Sequence, residues 1–120
     1  MSTKLLVIDD DPGITEMLSL VLRPEGYDVS VAHSGPEGIE LTRQSPPDII
    51  ILDLMMPEVD GWHVCRTIRT FSEVPILVLS AVVDSTQVKR ALDEGADDYL
   101  AKPAPLSLLI SRLRDLVPSA

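Results

Sequence analysis

The sequence predicts an α/β protein: a doubly wound, five-stranded parallel sheet with five helices, in a single domain over residues 1–120. Three observations predict it. Short apolar runs alternate with helical patterns from end to end. The strongest runs, Leu5-Leu6-Val7-Ile8 and Ile49-Ile50-Ile51-Leu52, are continuously apolar, as in strands covered on both faces. Strand–helix units in strict alternation place neighbouring strands parallel, with helices on both sides of the sheet.

After the first strand, Asp11-Pro12 supplies an N-cap and a proline at the first helical position. Ile14, Met17, Leu18, Val21 and Leu22 follow at helical spacing, until Pro24 and Gly26 stop the run. Tyr27 to Ala32 alternates as a second strand, and Pro36 to Gln44 reads as a helix carried by Ile39 and Leu41. Beyond Ile49–Leu52, a loop with Pro57 and Gly61 leads to a third helix through Val64, Ile68 and Phe71. Ile76 to Leu79 is the fourth strand. Val88, Ala91 and Leu92 mark the fourth helix, with Gly95 as its stop. Asp98-Tyr99-Leu100 is a short fifth strand, and Leu106, Leu109, Ile110, Leu113 and Leu116 form the apolar face of the last helix.

Composition narrows the function. The chain has 10 basic and 19 acidic residues, a formal charge of −9. That sign opposes direct binding of nucleic acid, which needs cations to neutralise phosphates, and docking on an anionic membrane. Hydrophobic residues make up 45%, enough for a folded core. The longest apolar stretch, Ile49 to Met56, is too short to span a bilayer and contains Asp53. The N-terminal run ends in aspartates rather than a cleavage signal. The lone cysteine, Cys65, permits no internal disulfide and reads as a packed side chain. A soluble, cytoplasmic protein is expected.

In doubly wound sheets, ligands bind beyond the carboxyl ends of the strands. The first strand ends at Asp9, Asp10 and Asp11, the third at Asp53, the fourth at Ser80, and the fifth just before Lys102. Asp11 suffices as a helix cap. Asp9, Asp10 and Asp53 together would repel one another unless a cation were present, and oxygen-only ligands favour a hard divalent ion such as Mg²⁺. Asp53 interrupts an apolar run, where a lone buried carboxylate is costly. A metal-assisted aspartate nucleophile can accept a phosphoryl group as an aspartyl phosphate. Lys102 would then offer a point charge to that group and Ser80 a hydrogen bond. A strand-end aspartate and a solvated lysine remain the plainer alternatives for each residue alone.

Four segments, LLVIDDDP, DIIILDLMMPEVDGW, VPILVLSA and GADDYLAKP, resemble in order and spacing the two-component response regulator receiver domain, the CheY-like form of the flavodoxin-like fold. The resemblance implies phosphorylation of Asp53 by a sensor histidine kinase or phosphotransfer protein. It implies Mg²⁺ (or Mn²⁺) on Asp10, Asp53 and the backbone carbonyl of Met55, with Asp9 acting through a water. Ser80 would be the switch hydroxyl and Tyr99 the aromatic that turns inward behind it. Lys102 would bind the phosphoryl group and precede a cis proline. Met55 and Val82 would flank that group, and neither can hold an attacking water, so slow hydrolysis is expected.

GADDYLAKP is similar to receivers of winged-helix transcription factors, which dimerise through the fourth helix, fifth strand and fifth helix. Arg90, Asp97, Asp98 and Arg112 would supply the charged pairs of that face. Leu108 stands where a glutamate usually faces the residue at Arg90, and Ala104 where phenylalanine usually follows Lys-Pro. Three other readings use the same fold or chemistry. A haloacid-dehalogenase-type phosphohydrolase needs a second carboxylate where Met55 stands. A flavodoxin needs phosphate donors where Asp-Asp-Asp-Pro stands. A receiver-like interaction module would bind partners without being phosphorylated.

Overall fold

The structure is a computed structural model that describes residues 2–57, 60–81 and 84–117. Five strands form one sheet: β1 (Thr3–Ile8), β2 (Tyr27–Ala32), β3 (Ile49–Leu52), β4 (Ile76–Ser80) and β5 (Asp98–Ala101). All pair in parallel, in the order β2-β1-β3-β4-β5. Five helices connect them: α1 (Pro12–Leu22), α2 (Gly35–Gln44), α3 (Gly61–Arg69), α4 (Ser85–Asp93) and α5 (Leu106–Leu116). The predicted architecture is the observed one.

Alternation along each strand divides the core in two. Leu6, Ile8, Ile50, Leu52, Ile76 and Val78 face α2, α3 and α4, where Val64, Cys65, Ile68 and Ala91 meet them. Leu5, Val7, Ile49, Ile51, Leu77 and Leu79 face α1 and α5, against Leu18, Leu22, Leu109 and Leu113. Both faces are dry, so the central strands carry apolar residues at every position. Burial pushes the Cys65 thiol up to about 11, as expected for a packed side chain.

Local chemistry starts the helices where the chain needs them. Asp11, Ser34, Asp60 and Asp84 each accept a hydrogen bond from a first-turn N–H, capping α1 to α4. Between α1 and β2, Arg23–Glu25 forms a 3₁₀ turn that ends at Gly26, whose φ of 100° suits glycine. The third helix stops short of Phe71. The chain turns there through Phe71 N–H to the Ile68 carbonyl, leaving Phe71 exposed beneath the Arg43 guanidinium at 4.4 Å. Gly61 is required by close approach: a Cβ there would lie 2.5 Å from the Asp53 carbonyl oxygen and the Leu54 Cα. The loop after β3 therefore folds tightly back on Asp53. Among the described residues, no helix is long and apolar enough to cross a membrane.

Candidate functional site

The chain turns from one side of the sheet to the other between β1 and β3, and the polar residues collect at the carboxyl ends of these strands. Asp9 follows β1 and is 3% exposed; Asp53 follows β3 and is 5% exposed. The sheet ladder holds both backbones. Asp9 N–H donates to the Ala32 carbonyl at 3.0 Å, and Asp53 N–H to the Ile8 carbonyl at 2.9 Å. On the far side, Lys102 N–H donates to the Ser80 carbonyl at 2.9 Å, and a cis peptide joins Lys102 to Pro103. The lysine thus returns toward the aspartates. Its Nζ lies 2.7 Å from Asp9 Oδ2 and 3.6 Å from Asp53 Oδ2.

Carboxylate oxygens of Asp9, Asp10 and Asp53 all lie within 4.8 Å of one another. Lys102 makes the ion pairs this cluster has among the described residues, so three carboxylates against one ammonium leave a surplus of two negative charges. Burial raises the Asp53 pKa, and the neighbouring Asp9 charge adds to it. The Met55 N–H (3.2 Å to Asp53 Oδ1), the Lys102 charge and a hydrogen bond with Ser80 oppose that rise without cancelling it. For Lys102, burial pulls the pKa down, but the bond to Asp9 and the charge of Asp53 outweigh it and the net shift is upward. The ammonium is therefore fully charged at neutral pH. An all-oxygen donor set with surplus negative charge and two buried members fits a hard divalent cation.

Ser80 is completely buried at the end of β4. Tyr99 packs its ring against the core cluster beneath α2, α3 and α4, with its hydroxyl buried. Burial raises its pKa, and so does the charge of Asp53. The structure thus brings together Asp9, Asp10, Asp53, Ser80 and Lys102, with Tyr99 within electrostatic reach. Met55 projects beside them with its side chain largely exposed, while Val82 lies outside the described residues. Ala104 lines an apolar groove of about 170 Å³ between α1 and α5.

Comparison with known proteins decides the family. Residues 5–114 match the model of the response regulator receiver domain. The chain belongs to this family. It is 44% identical over 114 residues to the DNA-binding response regulator MtrA of Mycolicibacterium smegmatis, covering 95% of this chain and 50% of that protein. It is 45% identical over 118 residues to the response regulator MprA of Mycobacterium ulcerans, covering 98% of this chain and 51% of that one. The receiver thus spans about half the length of these curated relatives. The BeF3-activated N-terminal receiver domain of Klebsiella pneumoniae RstA superposes with a TM-score of 0.93 at 30% identity, covering 98% of this chain and all of that one. A putative response regulator from Chloroflexus aurantiacus gives 0.91 at 37% identity, covering 97% and 98%.

The residues expected on a dimer face make contacts within the receiver. Asp98 and Arg112 pair within the receiver, at 2.9 and 3.0 Å, across β5 and α5. Asp97 is held by the Ile76 N–H at 2.8 Å and the Arg69 guanidinium at 2.9 Å. The Arg90 guanidinium of α4 lies 4.5 Å over the Trp62 ring of α3, also a contact within the receiver. Sequence reasoning missed Arg69, which also binds the Gly95 and Val74 carbonyls and so ties the loops before β4 and β5 together. An arginine in the last turn of a helix reads as an ordinary complement to the helix C-terminus, so no pattern reveals these bonds.

The direction of the Asp53 shift has a consequence for stability. A raised carboxyl pKa means that the folded chain binds this proton more tightly than the unfolded chain. Ionised Asp53 therefore costs stability above its folded pKa, and the cost vanishes below the unfolded value, near 3.8. In metal-free buffer at neutral pH, Asp53→Asn is expected to raise Tm by a few degrees, with the gain shrinking as pH falls toward that value. Thermal melts across pH check this; a variant less stable than the wild type at pH 7 contradicts it.

Proposed function

We propose that this receiver accepts a phosphoryl group on Asp53 from a sensor histidine kinase or a phosphotransfer protein, in the cytoplasm. The observation that carries the reading is the buried Asp53 carboxylate held between Asp9, Asp10 and the Lys102 ammonium. An Asp53 oxygen attacks phosphorus, the bond to the donor's imidazole nitrogen breaks, and its electron pair stays on that nitrogen. Asp10, Asp53 and the Met55 backbone carbonyl would hold Mg²⁺, with Asp9 acting through a water; the ion would neutralise charge on the phosphoryl oxygens during transfer. Lys102, released from Asp9, would bind one of those oxygens. Ser80 would bond another, and Tyr99 would fill the space behind Ser80. The β4–α4–β5 region then differs between the two states and is read by an output. The relatives named above include a DNA-binding regulator, so the proposed output is transcription.

Phosphotransfer from a radiolabelled small acyl phosphate tests the reading. Label is expected on the wild type with Mg²⁺, on neither the Asp53→Ala variant nor the chelator-treated protein; equal labelling of Asp53→Ala overturns it. Met55 bears no hydrogen-bonding group able to orient a water at the phosphoryl group. The label is therefore expected to persist, and Met55→Asn is expected to lose it several-fold faster. Rapid loss from the purified wild type, with no phosphatase present, contradicts this.

Self-association on activation is the second element of the proposal. Asp98 and Arg112 remain available on the α4-β5-α5 edge to exchange partners with a second copy, and Leu92 and Leu108 are exposed on its two helices. Sedimentation with and without beryllofluoride is expected to show dimer only in the treated sample; a strictly monomeric treated receiver argues against it.

A further inference from the structure

Two buried side-chain atoms, the Tyr99 hydroxyl and Gln87 Oε1, have no hydrogen-bond partner among the described residues. They belong to packed neighbours. Tyr99 sits on β5 with its ring against the cluster beneath α4, and Gln87 sits in the first turn of α4, which packs on β5. One is an O–H donor and the other a carbonyl acceptor. A flipped amide would present a donor to the phenol oxygen, so the two groups are complementary either way. Buried polar groups are almost always paired, and an exception calls for a physical account.

α4 is the element able to close the gap. Of its nine residues only Ala91 is buried. Its polar ties run to α3: the Trp62 indole N–H on the Gln87 carbonyl at 3.3 Å, Arg90 over the Trp62 ring, and Arg66 with Glu94 at 2.9 Å. A helix with so little buried surface shifts at low cost.

We infer that Gln87 is a positioning residue for Tyr99: its side-chain amide pairs with the Tyr99 hydroxyl in a hydrogen bond formed only when Asp53 is phosphorylated and α4 closes on β5. This rests on the phosphoacceptor reading of Asp53. In the resting receiver the two groups are each unsatisfied; in the phosphorylated receiver they satisfy each other. The bond thus adds to the free-energy difference by which phosphorylation selects one state.

Trp62 is the only tryptophan, and its indole bonds to Gln87 itself, so its fluorescence reports on this contact. Beryllofluoride with Mg²⁺ is titrated into the wild type, Tyr99→Phe, Gln87→Met and the double variant, with fluorine NMR as an independent measure of binding. Each single change is expected to weaken beryllofluoride binding about three- to tenfold, the worth of one neutral hydrogen bond. The double variant is expected to be no weaker than either single one. Without beryllofluoride, either change is expected to leave Tm unchanged or higher, because an unpartnered polar atom is removed. Losses that multiply in the double variant overturn the inference. So does a Tm loss in the untreated single variants, which would mean that the bond exists in both states. A wild type that binds no beryllofluoride overturns the phosphoacceptor reading and this inference together; binding with independent effects overturns this inference alone.

Discussion

The ion pair between Lys102 and Asp9 is the interaction on which the rest depends. The sheet drives two aspartates into nearly water-free positions, where each ionised carboxylate would be expensive alone. One ammonium, at 2.7 Å from Asp9 and 3.6 Å from Asp53, compensates part of that charge. The unequal distances matter. Asp9 is held by Lys102 and by the Asp11 N–H at 3.0 Å, whereas Asp53, with the Met55 N–H, Ser80 and the more distant Lys102 as partners, keeps a raised pKa. The uncompensated charge of the site thus bears on the residue proposed to react. Groups that bring positive charge or new hydrogen bonds to Asp53 therefore find a favourable place, and the folded chain has reason to rearrange when they arrive.

Much of the fold was legible because burial on both faces leaves a plain signature. Ile49-Ile50-Ile51-Leu52 can be little other than a covered strand, and the caps at Asp11 and Asp84 follow from short-range backbone chemistry. The cluster was legible for a related reason. Each charged residue at a strand end has a plain explanation alone, but sheet topology brings the strand ends together, and the group of them has none. Residue type and position therefore determined which groups converge.

Orientation was not legible in the same way. The position of Arg90 in α4 follows from helical spacing, but the packing of α4 against α3 decides that its guanidinium meets the Trp62 ring. Asp97 shows the same limit. Its neighbour Asp98 meets Arg112 as a nearby pair, while Asp97 is claimed by Arg69, 28 residues earlier, and by the Ile76 N–H. The end of the third helix depended on a turn at Phe71 that helical spacing cannot reveal. In each case the missing information is a three-dimensional angle or a contact distant in sequence, and neither leaves a periodicity in the chain.

These orientations also separate two tasks at opposite ends of β4 and β5. Arg69 ties the loops before β4 and β5 together through the Gly95, Ser72 and Val74 carbonyls and Asp97. At the opposite end of the same strands, Ser80, Tyr99 and Lys102 lie near the Asp53 carboxylate, and α4 above them has only Ala91 buried. The strands are thus tied at one end and carry the polar cluster at the other, with the Tyr99 hydroxyl unpartnered among the described residues. Under the proposed phosphorylation, a charge added at Asp53 would act beside the sparsely buried α4, and the α4-β5 surface is where the difference would emerge.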